Sequence, residues 1–276
     1  MSDTIEKYSG DGIKFSHAIT EAPNDSNYKL HIHDDYEILC VASGNVGYTV
    51  EGSAYDLPPG CVVIMKSAEM HKLVVHGEEK YERYIINFKP EVLYRYGFDR
   101  SILDAFLLRS VGDKNLYLPE DFNGIEPLGI FRQISAGLTR VSGEMLIVSN
   151  LSALLCAINT VFYRGNDIRK NDSDSYEKSV ISYINEHLLE DKSLSMLSEE
   201  MHVSVSQLNR IFHKMTGTSV YNYMLTKRLV YAQGMIYRGE SATNACQSCG
   251  FRDYSSFFRL YKKHFGKAPT ADKVKG

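Results

Sequence analysis

Between residues 29 and 88 the hydrophobic positions fall into short β-type runs, "YEILCVA", "VGYTV", "AYDL", "CVVIM", "HKLVVH" and "YERYIINF". They are separated by Gly44-Asn45, Glu51-Gly52 and Pro58-Pro59-Gly60. Evenly spaced short strands between turn formers predict a small sandwich or barrel. Helical spacing follows. Ile147, Leu151, Leu154, Ile158 and Val161 recur in a 4-3-4-3 pattern that draws a narrow apolar seam. Two heptads suit a helix laid on its own barrel as well as a dimer seam. "GNDIRKNDSDS", residues 165–175, is polar and aperiodic and reads as a linker. From Tyr176 the pattern is helical, with short breaks at "DKS", "HVS", "TGTS", "RGES" and "GFRD", and helix pairs with tight turns suggest helix-turn-helix units.

The helical part contains a duplication. "SQLNRIFHKMTG" at 206–217 and "SSFFRLYKKHFG" at 255–266 align at a constant offset of 49, matching Ser206 with Ser255, Arg210 with Arg259, Lys214 with Lys263 and Gly217 with Gly266. At 100° per residue, Leu208, Ile211, Phe212 and Met215 share one face of the first copy, and Phe257, Leu260, Tyr261 and Phe265 share the matching face of the second. The opposite faces carry hydroxyl, amide and arginine groups flanked by lysines. That is the make-up of a helix that reads base edges and grips phosphates in the major groove. Residues 219–239 lie between the copies with Tyr223, Leu225, Leu229, Ala232 and Ile236 at helical spacing. Roughly 18 helical residues reach about 27 Å, enough to set two readers near the ~34 Å repeat of the groove.

Charge follows the same division. The net charge is −3, yet residues 201–276 hold 12 Lys and Arg against 3 Asp and Glu, while the first 200 residues hold 19 against 31. A basic terminal third points to a polyanion partner for that third alone. Five scattered cysteines argue against a disulfide framework. Cys246 and Cys249 form a lone C-x-x-C pair that reads as core packing rather than a zinc site. With no signal-peptide pattern and no apolar stretch of about 20 residues, a soluble cytoplasmic protein without membrane contact is expected.

Candidate ligand chemistry sits in "HIHDDYEILCVASG", residues 31–44. His31 and His33 are two apart and share a face if extended. Imidazoles with Glu37 could hold a divalent metal, or hydrogen-bond a ligand. A straight strand would carry Glu37 about 13 Å beyond His33, so a shared site needs a bend at Asp34-Asp35, both turn formers.

"CGFRDYSSFFRLYKKHFGKAP", residues 249–269, resembles the signature of the AraC/XylS-type bacterial transcription regulators. Gly250, Phe251, Asp253, Ser255, Phe257, Arg259, Tyr261, Lys262, Phe265, Gly266 and Pro269 stand in the expected places. The resemblance implies two helix-turn-helix units joined by a linker helix. Base contacts would fall to Ser206, Gln207, Asn209 and Arg210 in the first unit and to Tyr254, Ser255, Ser256 and Arg259 in the second. Lys214, Lys262 and Lys263 would meet phosphates. Ser198, His202, Ala242 and Ala245 depart from the pattern, the last two implying a looser second unit. The N-terminal part is similar to the cupin barrel that many members carry. His31, His33, Glu37 and Gly44 meet its first motif, whereas the second keeps Gly60 and His71 but has Lys66, Ala68 and Val75 at departing positions.

The expected fold is therefore α+β and multidomain. A cupin-like effector-binding barrel spans 1–112, a helical connector with a possible dimerisation role 113–165, a linker 166–175, and an all-α DNA-binding domain 176–276. The expected function is a sequence-specific transcription regulator without a cofactor, not an enzyme. Its partners would be promoter DNA, a second copy, possible contacts to RNA polymerase, and a small effector. His31, His33, Glu37, His71 and Tyr84 would bind that effector, and tyrosines such as Tyr48, Tyr55 and Tyr84 suit a sugar ring. The alternatives are a metal-dependent cupin enzyme with an appended DNA-binding domain, using His31, His33, Glu37 and His71 as ligands, and a constitutive architectural DNA-binding protein. The enzyme reading leaves the duplicated basic helices unexplained, and the architectural one leaves the barrel without a task.

Overall fold

"YEILCVAS" is apolar along most of its length because both faces of its strand are covered. In the computed structural model, which describes residues 3–138, 142–166, 176–190 and 192–272, this strand is β3 (Tyr36–Ser43). The elements before it are β1 (Asp3–Gly10) and β2 (Ile13–Thr20). After it come β4 (Val46–Val50), β5 (Ser53–Leu57), β6 (Val62–Met65), β7 (His71–Val75), β8 (Tyr81–Phe88) and β9 (Leu116–Tyr117). One antiparallel sheet has the order β1-β2-β8-β3-β6-β9 and a second the order β5-β4-β7. Leu39, Val41, Val63 and Met65 turn inward toward Val46, Tyr48, Val50 and Leu73 of the smaller sheet. Their neighbours Ile38, Cys40, Val62, Ile64, Ile86 and Phe88 turn outward against helices. β9 arises within the stretch read as helical connector and extends the sheet beyond residue 112.

The covering helices are α1 (Pro90–Arg95), α2 (Asp104–Leu107), α3 (Pro127–Gly137) and α4 (Gly143–Asn166). Ile147, Leu151, Leu154 and Ile158 of α4 are fully buried with Phe131 and Ile134 of α3 against the sheet. The 4-3-4-3 seam therefore belongs to the chain's own core, and a dimer contact through it is corrected: each of these side chains is already withdrawn from water, at about 1.5–3 kcal/mol apiece. The absence of a membrane-length apolar stretch is also corrected. Gly143–Gly165 is long and apolar enough to cross a membrane by length and composition, but its apolar face is the one spent on the sheet.

A second compact unit comprises Ser173–Gly276 with two short straps, Leu30–Asp34 and Ser67–Met70. The linker read at 166–175 lies, from residue 167, outside the described residues. The unit holds α5 (Tyr176–Glu186), α6 (Leu194–Glu200), α7 (Val205–Thr216), α8 (Val220–Tyr237), α9 (Ala242–Ser248) and α10 (Tyr254–Phe265). The duplication reappears as geometry, since α7 and α10 begin and end at matching positions. Ser204 and Asp253 cap their N-termini, and Gly217 (φ 72°) and Gly266 (φ 73°) close their C-termini in the left-handed region that glycine adopts freely. Leu208 and Phe212 of α7 pack with Leu197, Val180 and Ile184 in one core. Phe257 and Tyr261 of α10 pack with Ala245, Cys246 and Cys249 in another. Aromatic pairs Phe251–Phe257 (5.0 Å), Phe257–Tyr261 (5.4 Å) and Tyr261–Phe265 (4.5 Å) belong to the same core as Ala245. Both cysteines are buried, and burial pushes the Cys249 thiol up to about 11, as expected of packing groups.

Candidate nucleic-acid interface and effector site

Two helices with coincident ends present coincident side chains. Arg210 and Arg259 are each the sixth residue of their helix, and both are exposed. Arg210 makes no hydrogen bond or ion pair among the described residues, while Arg259 Nη2 donates to Ser256 Oγ at 3.3 Å. Ser206, Tyr254 and Ser255 are exposed beside them, and Ser256 is half-buried. Lys262 and Lys263 are exposed in the last turn of α10, and Lys214, also exposed, pairs with Glu177 at 3.2 Å.

Two of the sequence-derived readers have work inside the fold. Asn209 Nδ2 donates to Val205 O (3.2 Å) and its Oδ1 accepts from Val220 N (3.1 Å), so it ties α7 to the first turn of α8. Gln207 Oε1 accepts from Ser204 N at 3.0 Å, completing a capping box. Between the readers, α8 has 18 residues, or about 27 Å. Arg228 on α8 was not singled out by sequence reasoning. Its guanidinium donates to Leu188 O (2.7 Å), Glu190 O (2.7 Å) and Gly250 O (3.2 Å), joining the end of the α5 segment to the turn of the second helix pair. Lys227, also on α8 and buried, donates to Asn185 Oδ1 at 2.6 Å beneath the Tyr223 ring. In a sequence both look like further basic residues of a DNA-binding domain; only their burial and acceptors separate them. The departure at His202 is visible as a φ of 55° in the first turn, where the second turn has Gly250 at φ 74°.

In the first unit the inward face of β3 and β8 gathers a polar cluster. Glu37 is buried and accepts from Asn87 Nδ2 at 2.7 Å. His71 is buried and stacks on Tyr48 with ring centroids 5.8 Å apart. Burial raises the Tyr48 phenol well above its ordinary value, and the Glu37 charge adds to the effect. Tyr81 is buried, its hydroxyl has no hydrogen-bond partner among the described residues, and Arg83 lies 4.9 Å over its ring. The chain bends at Asp34 and Asp35 as expected. His31 and His33 precede that bend with rings 6.0 Å apart. Glu37 is engaged with Asn87. Tyr84 stands apart. It points outward to Phe131 and stacks on His17 at 4.1 Å, because it is out of phase by one with the inward residues of β8. Tyr55 donates to Gly112 O at 2.9 Å. Tyr81 and Asn87 were missed in the sequence, although Asn87 is an isolated amide within the run "YIINF".

Residues 16–155 match the family described as the AraC-like ligand binding domain, and residues 197–273 match a helix-turn-helix domain. The chain is 26% identical over 253 residues to the HTH-type transcriptional activator RhaS of Escherichia fergusonii, covering 87% of this chain and 85% of that protein. To RhaS of Citrobacter koseri it is 24% identical over 258 residues, covering 88% and 87%. Among solved structures, ToxT from Vibrio cholerae bound to (E)-4-(8-methylnaphthalen-1-yl)but-3-enoic acid aligns over 95% of this chain and 98% of its own with a TM-score of 0.42 and 15% identity.

Proposed function

The chain belongs to the AraC family of DNA-binding transcription regulators with a ligand-binding domain, not to the enzymes, and from that premise we propose how it reads DNA and what it senses. Arg210 and Arg259 each make a bidentate contact to guanine in successive major grooves, with Ser206, Gln207, Tyr254, Ser255 and Ser256 at neighbouring base edges. Lys214, Lys262 and Lys263 hold phosphates, Lys214 exchanging Glu177 for DNA. The observation that carries this reading is the identical placement of the two exposed arginines on helices with matching ends. The effector-binding barrel is 1–112 completed by β9, 113–165 otherwise carries α3 and α4, 176–276 is the DNA-binding domain, and the protein acts in the cytoplasm.

The effector is a sugar or oligosaccharide received by Glu37, Tyr48, His71 and Tyr81 of the barrel. A buried carboxylate and the Tyr48 and Tyr81 phenols offer acceptors and donors to a sugar's hydroxyls. Its relatives' names support activation of transcription, which would bring RNA polymerase as a partner. The homodimer uses a surface other than the α4 seam, whose side chains are buried in the chain's own core. A thermal-shift screen of sugars and oligosaccharides tests the effector class, because a ligand at 100 times its dissociation constant stabilises the native state by about 2.7 kcal/mol. Zinc belongs in the same screen; a shift with zinc and none with sugars would assign the His31 and His33 pair to a metal instead.

A further inference from the structure

Gly234 lies inside α8, where glycine is about 1 kcal/mol worse than alanine for a helix. What replaces a side chain there is the carboxylate of Asp34: a Cβ on Gly234 would stand 2.5 Å from Asp34 Oδ1 and 2.8 Å from Oδ2. Asp34 is buried, and its Oδ1 accepts from Ser67 Oγ at 2.8 Å. Ala68 N donates to His33 O at 3.0 Å, so the two straps are bonded to each other. Met70 and Leu30, one from each strap, join the core formed by Val180, Ile181, Ile184, Tyr223 and Met224. The straps are thus an integral part of the unit that reads DNA. They also carry His31 and His33, and they run directly into β3 with Glu37 and into β7 with His71.

We propose that the Asp34 carboxylate seated on Gly234 is the contact through which the histidine-bearing strap reports to α8, with Gly234 as its positioning residue. The proposal rests on the regulator reading above. α8 spaces α7 and α10, so a shift of the strap is felt as a change in the distance or angle between the two arginines. Linkage makes the coupling reciprocal: whatever repositions His31 and His33 alters DNA affinity by the factor that DNA alters its binding.

The experiment uses the full chain and a duplex that the parent protein selects from a random pool. Gly234→Ala and Asp34→Ala are compared by hydrogen–deuterium exchange and by titration of that duplex; Ser67→Ala, which leaves α8 untouched, serves if either fails to fold. Exchange in 30–34 and 67–70 should rise roughly tenfold or more in each variant, with α8 no faster in Gly234→Ala. Duplex affinity should move in one direction in both by about fivefold or more, and the double variant should add nothing further. Unchanged strap exchange overturns the proposal, and so do freed straps with unchanged affinity. Failure of the parent to select any duplex would instead remove the regulator reading beneath it.

Discussion

Truncating the matched arginines separates base reading from every other role of these helices. A bidentate arginine–guanine pair is worth about 1–3 kcal/mol, which is about 5- to 150-fold in dissociation constant. Arg210 has no bond among the described residues, so Arg210→Ala costs the fold nothing and its whole effect falls on the complex. Arg259 is already aligned by Ser256, so it loses less rotamer freedom on binding, an advantage of up to about 1 kcal/mol; Arg259→Ala should therefore match Arg210→Ala or exceed it. Two controls bracket the pair. Asn209→Ala removes the bond to Val220 N and should lower stability by about 1 kcal/mol while the folded fraction keeps its affinity. Lys263→Ala should weaken all sequences alike and reduce the salt slope by about one. Fluorescence anisotropy on the selected duplex and its single-base variants, at three salt concentrations, measures all four. Each arginine variant should relax preference at one base position, the two positions lying about one helical turn apart. Arginine variants that stay folded and bind every duplex as the parent does would show that these faces do not enter the major groove.

Other substitutions probe the fold and the barrel. His202→Gly relieves a left-handed conformation worth about 1–2 kcal/mol for an L residue, partly offset by about 0.4–1 kcal/mol of added unfolded-state freedom; the urea midpoint should rise slightly with an unchanged slope, and a fall would contradict the strain argument. Leu154→Lys places an ammonium in a closed core and should abolish the folded barrel; a folded, soluble monomer would return the seam to an interface. Tyr81→Phe deletes a buried hydroxyl without a partner among the described residues, so the ligand-free melting temperature should hold or rise while the sugar-induced shift disappears; a retained shift would place the effector elsewhere. Burial alone would raise the Asp35 carboxyl, but Lys89 and Lys14 outweigh it and hold it below 3.8. Its stabilising share is therefore full above about pH 4 and lost as pH falls through the lowered value; Asp35→Asn should flatten the acid limb of the stability curve, and an unaltered limb would deny the pair that role.

What was legible follows from how local each feature is. β4 could be read residue by residue because "VGYTV" is bounded by turn formers at both ends, and α7 and α10 could be read because the same amphipathic pattern is written twice. β1 and β2 were passed over although Asp11-Gly12, with Gly12 at φ 76°, is a strong hairpin signal. In β2 Lys14 and Ser16 alternate with buried Ile13 and Phe15 as a half-buried strand requires, so that strand was legible. The orientation of the α4 seam could not be read at all, since a 4-3-4-3 spacing states that a face is apolar without stating what covers it. Tyr84 failed for a related reason. The run "YERYIINF" has no polar punctuation to fix its phase, and a shift of one residue exchanges the barrel interior for the helix-covered face. The straps are the extreme case. Leu30–Asp34 and Ser67–Met70 have neither periodicity nor repeat, and their significance depends on a glycine two hundred residues downstream of Asp34 that lowers helix propensity. A single-sequence reading registers Gly234 only as a small local defect. Since the defect is explained by the carboxylate seated on it, the glycine marks where the histidine-bearing strap meets the linker helix, and that is where the sensing and reading functions would be coupled.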